Sequence, residues 1–515
     1  MSEKTGIDAT AQDGDLPVAP PGTEHDRKDL RRAAERGFAA TDKYGVSLVE
    51  FDKEAERRLR NKLDLMVIPT VSILYLFCFI DRANIGNARL AGLERDLNLQ
   101  GNDYNILLST FYISYILFEI PTTVACKWVG PGWFIPLISI GFGISSVGTA
   151  FVNDLRGACA VRFVLGIFEA GMMPCISYYL SRWYRRAELA FRLSLFIVMA
   201  PLAGAFGGLL ASGILKLPNF ANLHEWRMIF AIEGIITIGL SLLSFFTLTD
   251  RPETARWLSQ EEKDLAIARV KSERVAQASV LDNIDRKKLW LGFYNPVVLS
   301  TAAVFLLNNI TVQGLAFFTP TIVGTIYPAS STVQKQLYTV PPYVVGAFFE
   351  LLLPLLSWRF DRRQVFIIMT APLVMVGYVM FLATTNPQAR YAATFLNASS
   401  CFAVGALANA QASAQVVSDT SRTISLSTNM MFGNIGGLIA TWSYLSWDGP
   451  NYPIGNGLNL AASSLILIIS SLTLLWMVRD NKKREQRDVD DALQGLTQSQ
   501  IESLEWKHPA FRWRP

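Results

Sequence analysis

The stretch MVIPTVSILYLFCFIDRANIGNA, residues 66–88, decides the fold of this 515-residue chain. It opens with an uncharged run from Met66 to Ile80, after which Asp81 and Arg82 stand side by side. An ionised side chain deep in a bilayer costs roughly 2.5–3.5 kcal/mol on insertion scales unless it is paired or hydrated. We therefore place the pair at or near the membrane end of a first hydrophobic span, and we expect it to have a functional role.

The composition of the whole chain is that of a polytopic membrane protein. Hydrophobic residues make up 51% of it and charged residues 17%, with a mean hydropathy of +0.27. Soluble domains carry about 25% charged residues. The five cysteines lie in or beside apolar segments and lack the spacing of a disulfide framework or a metal site. No metal, cofactor or nucleic-acid partner is expected.

Twelve segments approach the ~20 apolar residues that a helix needs to cross a membrane. We number them spans 1–12 and predict them at residues 64–83, 104–125, 133–152, 157–180, 192–215, 227–248, 297–324, 337–358, 364–384, 391–413, 423–446 and 457–478. The pattern predicts an all-α membrane protein with two six-helix halves. Such an arrangement is typical of transporters built from two repeats, whose substrate site lies between the halves.

Charged and polar segments divide the chain further. The predicted parts are a disordered N-terminal tail (1–50), an N-terminal half (51–248), a central loop (249–296), a C-terminal half (297–478) and a C-terminal tail (479–515). The N-terminal tail is polar, contains several prolines and has no apolar region typical of a signal peptide.

Basic residues predict the orientation, because Lys and Arg are enriched in short cytoplasmic loops. Most of them fall on the side that also carries both tails, which we call the basic face: Lys53, Arg57, Arg58, Arg60, Lys62, Arg182, Arg185, Arg186, Arg192, Arg359, Arg362, Arg363, Arg479, Lys482, Lys483, Arg484 and Arg487. The other side, the opposite face, has only scattered basic residues. Both termini are therefore predicted to be cytoplasmic.

Ionisable residues within spans mark ion and substrate pathways. The three histidines lie outside the spans, so any proton would have to be carried by carboxylates. Span 4 carries Arg162 and Glu169 seven positions apart, which places both on nearly the same helix face. The carboxylates within spans are Asp81, Glu119, Glu169, Glu233 and Glu350.

Each of these acids also has a structural interpretation. Asp81 and Arg82 are compatible with a salt bridge at the membrane interface that only orients span 1. For Glu119, stabilisation of a helix end or a hydrogen bond between spans is favoured over substrate binding. For Glu233 structure and function are evenly balanced, and for Glu350, among apolar neighbours, a packing role is favoured.

The C-terminal half offers neutral amides where the N-terminal half offers charges. They are Asn308, Asn309, Gln313, Asn409, Gln411, Gln415, Asn429 and Asn434. We infer that the N-terminal half manages charge and coupling, whereas the C-terminal half recognises substrate shape and hydrogen-bonding groups. Substitution of Asn309 or Gln313 should then change substrate preference more than proton dependence.

Five sequence motifs extend over most of the chain: DRANIGNA (81–88), RFVLGIFEAGMMPCISYYLSRWYRRAELAFR (162–192), EWRMIFAIEG (225–234), PETARWLSQEE (252–262) and FRW (511–513). Together they resemble the major facilitator superfamily, in particular its anion:cation symporter family and the fungal allantoate and nicotinate permease branch. The resemblance implies a twelve-helix fold with alternating access and proton-coupled uptake of a small organic anion, such as a carboxylate, vitamin-like or nitrogen-source compound.

The resemblance also implies roles for single residues. Arg82 corresponds to the contact with the substrate anion, Asp81 and Glu169 to the proton-coupling carboxylates, and Arg162 to a supporting charge. Arginine suits the anion role because its planar fork matches a carboxylate and stays charged. The predicted substrate contacts are Arg82, Asn84, Asn308, Asn309 and Gln313.

Departures from the family pattern limit what is carried over. Many relatives have a Trp, paired Asn and a Thr-Lys-Arg string in spans 10 and 11, where this chain has Gln411, Ala414-Gln415 and Thr420-Ser421-Arg422. Nicotinate or allantoate specificity is therefore not transferred. Export of a drug or secondary metabolite, or a transporter-like nutrient sensor, stays open as an alternative.

An enzyme is not predicted, because the sequence has no HExxH, GxSxG or paired metal ligands. It also has no P-loop, which argues against an ATP-driven pump. The expected partners are the small organic anion, a proton and the lipid bilayer. We expect a monomer, most plausibly in the plasma membrane.

Overall fold

The computed structural model describes residues 52–218, 223–274, 286–417, 419–486 and 504–514, with a few single positions between 487 and 503. The predicted N-terminal tail and residues 275–285 of the central loop lie outside the described residues. Within the described ranges, eleven helices are long and apolar enough to cross a membrane.

The N-terminal half contains spans 1–6. Their helices are Ile68–Leu90 for span 1, Asp103–Val129 for span 2, Pro131–Thr149 for span 3, Leu155–Ala170 and Met172–Trp183 for span 4, Arg186–Ile197 and Met199–Ile214 for span 5, and Trp226–Thr247 for span 6. Shorter helices flank them at Lys53–Met66, Leu93–Asp96, Pro252–Thr254, Gln260–Arg274 and Arg286–Phe293.

The C-terminal half contains spans 7–12. Their helices are Pro296–Ile326, Thr332–Phe360, Arg363–Ala383, Pro387–Ala414, Asp419–Ala440 and Pro453–Glu485, with single turns at Ser446–Asp448 and Glu505–Lys507. Span 11 completes the twelve, although it is not among the eleven apolar helices. Its polar residues Ser425 and Asn429 are buried, and the helix packs against spans 7 and 10. Thr423 and Ser427, in contrast, are exposed. Protein therefore covers part of its polar surface.

The predicted position of Asp81 and Arg82 at the end of span 1 is wrong. The helix continues to Leu90, which places both residues near the middle of a 23-residue element. The apolar run ends at the first charge, whereas the helix continues because other spans supply a carboxylate to Arg82 and hydroxyl hydrogen bonds to Asp81.

Span 4 is interrupted at Gly171, directly after the turn that carries Glu169. Pro174 has no N–H to donate to the carbonyl of Ala170, four residues earlier, so the regular helix cannot continue through this point.

The two halves meet at the ends of their spans on the opposite face. There Asn105 Nδ2 donates to the Thr441 carbonyl at 2.6 Å, and Gln336 Nε2 donates to the Asn87 carbonyl at 3.1 Å. Gly86 lies so close to span 7 that an added β-carbon would stand 2.5 Å from a carbonyl oxygen. The described residues thus form a conformation closed at the opposite face.

Part of the predicted C-terminal tail packs onto the C-terminal half. Span 12 extends to Glu485, and residues 504–514 return to its end at the basic face. Trp513 is 2% exposed and donates through Nε1 to Asp480 Oδ2 at 2.7 Å. Gln411 and Gln415 of span 10 both donate to the Arg514 carbonyl. This segment therefore connects spans 10 and 12.

Candidate functional site

Arg82 and Glu169 form a buried ion pair between spans 1 and 4. Arg82 Nε lies 2.9 Å from Glu169 Oε2, with the two side chains 8% and 0% exposed. Three aromatic rings surround the guanidinium carbon, at 4.6 Å for Phe79, 5.0 Å for Tyr115 and 5.3 Å for Phe111. Rings at this distance attract a cation. The predicted anion contact is therefore held by a carboxylate of the protein itself in this conformation.

Asp81 points to different partners, because neighbouring residues on a helix diverge by about 100°. It is 1% exposed and accepts hydrogen bonds from Ser146 Oγ at 2.8 Å and Thr237 Oγ1 at 3.2 Å. The interpretation of Asp81 and Arg82 as an interfacial salt bridge does not hold, since Arg82 pairs with Glu169 near mid-helix.

Arg162 lies on the same helix as Glu169, 2% exposed. Its Nε and Nη2 have no hydrogen-bond partner among the described residues, and its guanidinium carbon stands 5.6 Å from the Phe230 ring. Both Asp81 and Glu169 are within its electrostatic range. Arg162 thus supplies a buried positive charge close to both predicted coupling acids.

Asn84, a predicted substrate contact, is fully buried inside the N-terminal half. Its Nδ2 donates to Glu233 Oε2, and the other oxygen of Glu233 has no partner among the described residues. Asn84 and Glu233 form a second buried polar pair between spans 1 and 6.

The three amides of span 7 differ in their surroundings. Asn308 and Gln313 are 3% and 8% exposed, and each has one polar atom, Nδ2 and Oε1 respectively, without a partner in the described part of the chain. Asn309 is half-buried and donates to the Phe305 carbonyl at 2.9 Å. No described contact joins any of them to Arg82, so the structure does not assemble the predicted substrate contacts into one cluster.

One polar contact crosses between the halves near mid-membrane. Asn434 Nδ2 of span 11 donates to Glu119 Oε2 of span 2 at 2.6 Å. This is the inter-span hydrogen bond that the sequence favours for Glu119. Arg82 lies within electrostatic range of Glu119.

Sequence reasoning missed the hydroxyls that hold Asp81 and the aromatic residues around Arg82. Ser146 and Thr237 are two among several hydroxyl residues of spans 3 and 6, and no motif distinguishes them from the others. Their role becomes visible only when spans 1, 3 and 6 are packed together.

Comparison with known proteins identifies the family. The model of the Major Facilitator Superfamily matches residues 71–441. An uncharacterized transporter of Schizosaccharomyces pombe is 32% identical over 438 residues, covering 85% of this chain and 90% of that protein. The MFS-type transporter cnsO of Penicillium expansum is 29% identical over 94% of this chain and 97% of its own length.

Solved structures show the same fold. A bacterial homolog of the human lysosomal transporter Spinster, in an inward-facing and unoccupied conformation, superimposes with a TM-score of 0.61 at 15% identity. The alignment covers 82% of this chain and 97% of that one. At this identity the likeness concerns the fold alone.

Proposed function

The chain belongs to the major facilitator superfamily of membrane transporters, and we propose that it takes up a small organic anion together with protons. The proposal rests on one observation, the buried ion pair of Arg82 and Glu169. Arg82 is a permanent cation whose planar fork suits a carboxylate, and Glu169 can lose its charge by protonation. A substrate carboxylate can therefore replace Glu169 as the partner of Arg82.

We further propose membership in the anion:cation symporter family, close to the fungal allantoate and nicotinate permeases. The DRANIGNA motif supports this, since it places Asp81, Arg82 and Asn84 on one helix with three different buried partners. The substrate class is then a carboxylate, vitamin-like or nitrogen-source compound.

The transport cycle follows from which groups can change charge. With the protein open to the opposite face, a proton binds Asp81 or Glu169, and a neutral Glu169 releases Arg82. The anion then binds Arg82, with Asn84, Asn308, Asn309 and Gln313 as candidate contacts after the halves rearrange. Reorientation releases anion and proton at the basic face.

Orientation and location complete the proposal. The distribution of Lys and Arg favours a cytoplasmic location for the basic face, and with it for both termini. The protein itself lies in the plasma membrane. A potential of 100 mV contributes about 2.3 kcal/mol per net charge moved. One proton moving with one monovalent anion carries no net charge, so the pH gradient, and not the potential, would drive accumulation. The protein acts as a monomer and transports its substrate without chemical change.

Uptake by a transporter-deficient cell tests the proposal. Cells expressing the protein receive a panel of labelled small carboxylates, with and without a protonophore. We expect uptake of at least one carboxylate that the protonophore abolishes and that Arg82→Gln removes at unchanged protein level. Uptake insensitive to both would refute proton-coupled anion transport.

A further inference from the structure

Glu350 of span 8 is a buried acid that the proposed cycle does not use. It is 5% exposed, and its Oε2 has no hydrogen-bond partner among the described residues. A buried carboxylate without a partner is costly, so its missing partner needs an explanation.

The position of Glu350 on its helix directs it towards the other half. Earlier on the same helix, Thr339 and Tyr343 contact span 5 of the N-terminal half, where β-carbons added to Gly208 and Gly204 would each lie 2.6 Å from them. Glu350 follows Tyr343 by two helical turns and therefore lies on the same face. It thus faces the interface between the halves, on the side towards the basic face.

An aromatic pair of span 1, Tyr75 and Phe79, connects the surroundings of Glu350 with Arg82. The Tyr75 ring stands 5.0 Å from the ring of Phe196 in span 5, the span that the Glu350 helix contacts. Tyr75 also interacts electrostatically with both Glu350 and Arg82. The Tyr75 ring stands 5.0 Å from the Phe79 ring, which in turn lies 4.6 Å from the Arg82 guanidinium carbon. An acid of the C-terminal half and a cation of the N-terminal half therefore flank one short aromatic surface.

We propose that Glu350 binds the substrate by accepting a hydrogen bond from an N–H group, while Arg82 binds the carboxylate of the same molecule. The substrate class is then a small amino- or amido-carboxylate. Such a molecule satisfies both charged groups at once and connects the two halves across Tyr75 and Phe79. The proposal rests on the proposed function, because it takes Arg82 as the carboxylate contact.

Pairs of probes that differ only in the donor group test this inference. Suitable pairs are 3-aminobenzoate with 3-methylbenzoate and 4-aminobenzoate with 4-methylbenzoate, because a methyl group replaces a neutral amine at similar size and leaves the net charge unchanged. Competition for uptake and thermal stabilisation of the purified full-length protein are measured for each member. A site built to bind an N–H group discriminates strongly against an analogue without it, so the wild type should prefer an amino member by at least about tenfold.

Substitution separates binding from packing. Glu350→Leu removes the acceptor and should abolish the preference for the amino member of each pair. Glu350→Gln keeps an acceptor oxygen and should retain part of that preference. Glu119→Gln is the matched control, because that acid has a partner in Asn434 and should leave the preference unchanged.

The outcomes distinguish the two proposals. Arg82-dependent carboxylate binding with no amino preference in the wild type overturns the role of Glu350 and leaves anion transport intact. Equal loss of both members of a pair in Glu350→Leu, with a lowered melting temperature, shows a packing residue and also overturns it. If no carboxylate is transported or stabilises the protein, both proposals fail.

Discussion

Replacing Glu169 by glutamine should separate anion exchange from proton-driven uptake. The substitution keeps the size of the side chain and removes its negative charge, as protonation would. Arg82 then loses the carboxylate that lies 2.9 Å from its Nε in the wild type. We expect Glu169→Gln to exchange anions across a membrane but to accumulate none in response to a pH gradient.

The size of the effect follows from the ion pair. At 2.9 Å and an effective dielectric constant of 20, the Coulomb attraction is about 6 kcal/mol. Desolvation offsets part of it, and removing one partner of a buried pair costs about 3–5 kcal/mol. That range corresponds to a change of roughly 10²- to 10³-fold or more in the equilibrium between paired and unpaired Arg82. The anion affinity of Glu169→Gln can increase by no more than this factor. The melting temperature should fall.

Purified protein in liposomes provides the assay. Counterflow with internal unlabelled substrate reports exchange, and an imposed pH gradient with no internal substrate reports coupling. Glu262→Gln serves as a control, since it also removes a carboxylate from an ion pair, here with Lys62 at 2.7 Å and outside the spans. Gradient-driven accumulation that persists in Glu169→Gln would refute the assignment of Glu169 as a coupling acid.

Three further predictions use the same protein. Asp81→Asn should also retain exchange and lose pH-driven accumulation in the liposome assay; an effect on protein level alone would contradict a coupling role. Gly86→Val should hinder closure at the opposite face, because a β-carbon at Gly86 would lie 2.5 Å from the Phe317 carbonyl oxygen. In a cysteine-free background, labelling of a cysteine introduced at the opposite face should then increase, and unchanged labelling would contradict this. Trp513→Ala removes a buried ring and its hydrogen bond to Asp480, which should cost about 3–5 kcal/mol and lower the melting temperature in detergent; an unchanged melt would show that the C-terminal segment does not stabilise the fold.

The sequence predicts the architecture well because each span must satisfy its own backbone and hydrophobic requirements. The charges of span 1 show the limit of that reasoning. The partners of Arg82 and Asp81 are Glu169, Ser146 and Thr237, which lie 65–156 positions further along the chain. The hydropathy pattern predicts that span 1 ends at Asp81, whereas in the packed structure Asp81 lies near the middle of the helix Ile68–Leu90.

The C-terminal segment shows a different limit. Residues 479–515 are polar enough to predict a tail, yet Trp513 is buried between the ends of spans. The Trp513 side chain donates to Asp480. The Arg514 carbonyl accepts from Gln415, an amide for which the sequence predicts a part in substrate recognition. The FRW motif was the available signal, because aromatic residues in a polar tail favour docking over solvation.

Charge balance gives a physical reason why the proposed coupling would be obligate at this site. With no substrate, Arg82 and Glu169 neutralise each other. With both substrates bound, a proton neutralises Glu169 and the anion neutralises Arg82, so the pair again carries no net charge. A proton alone would leave Arg82 uncompensated, and an anion alone would leave excess negative charge, at a cost of several kcal/mol in a buried environment. The empty and the fully loaded forms are therefore the ones that can close and reorient, which predicts that the ion pair itself couples one proton to each anion.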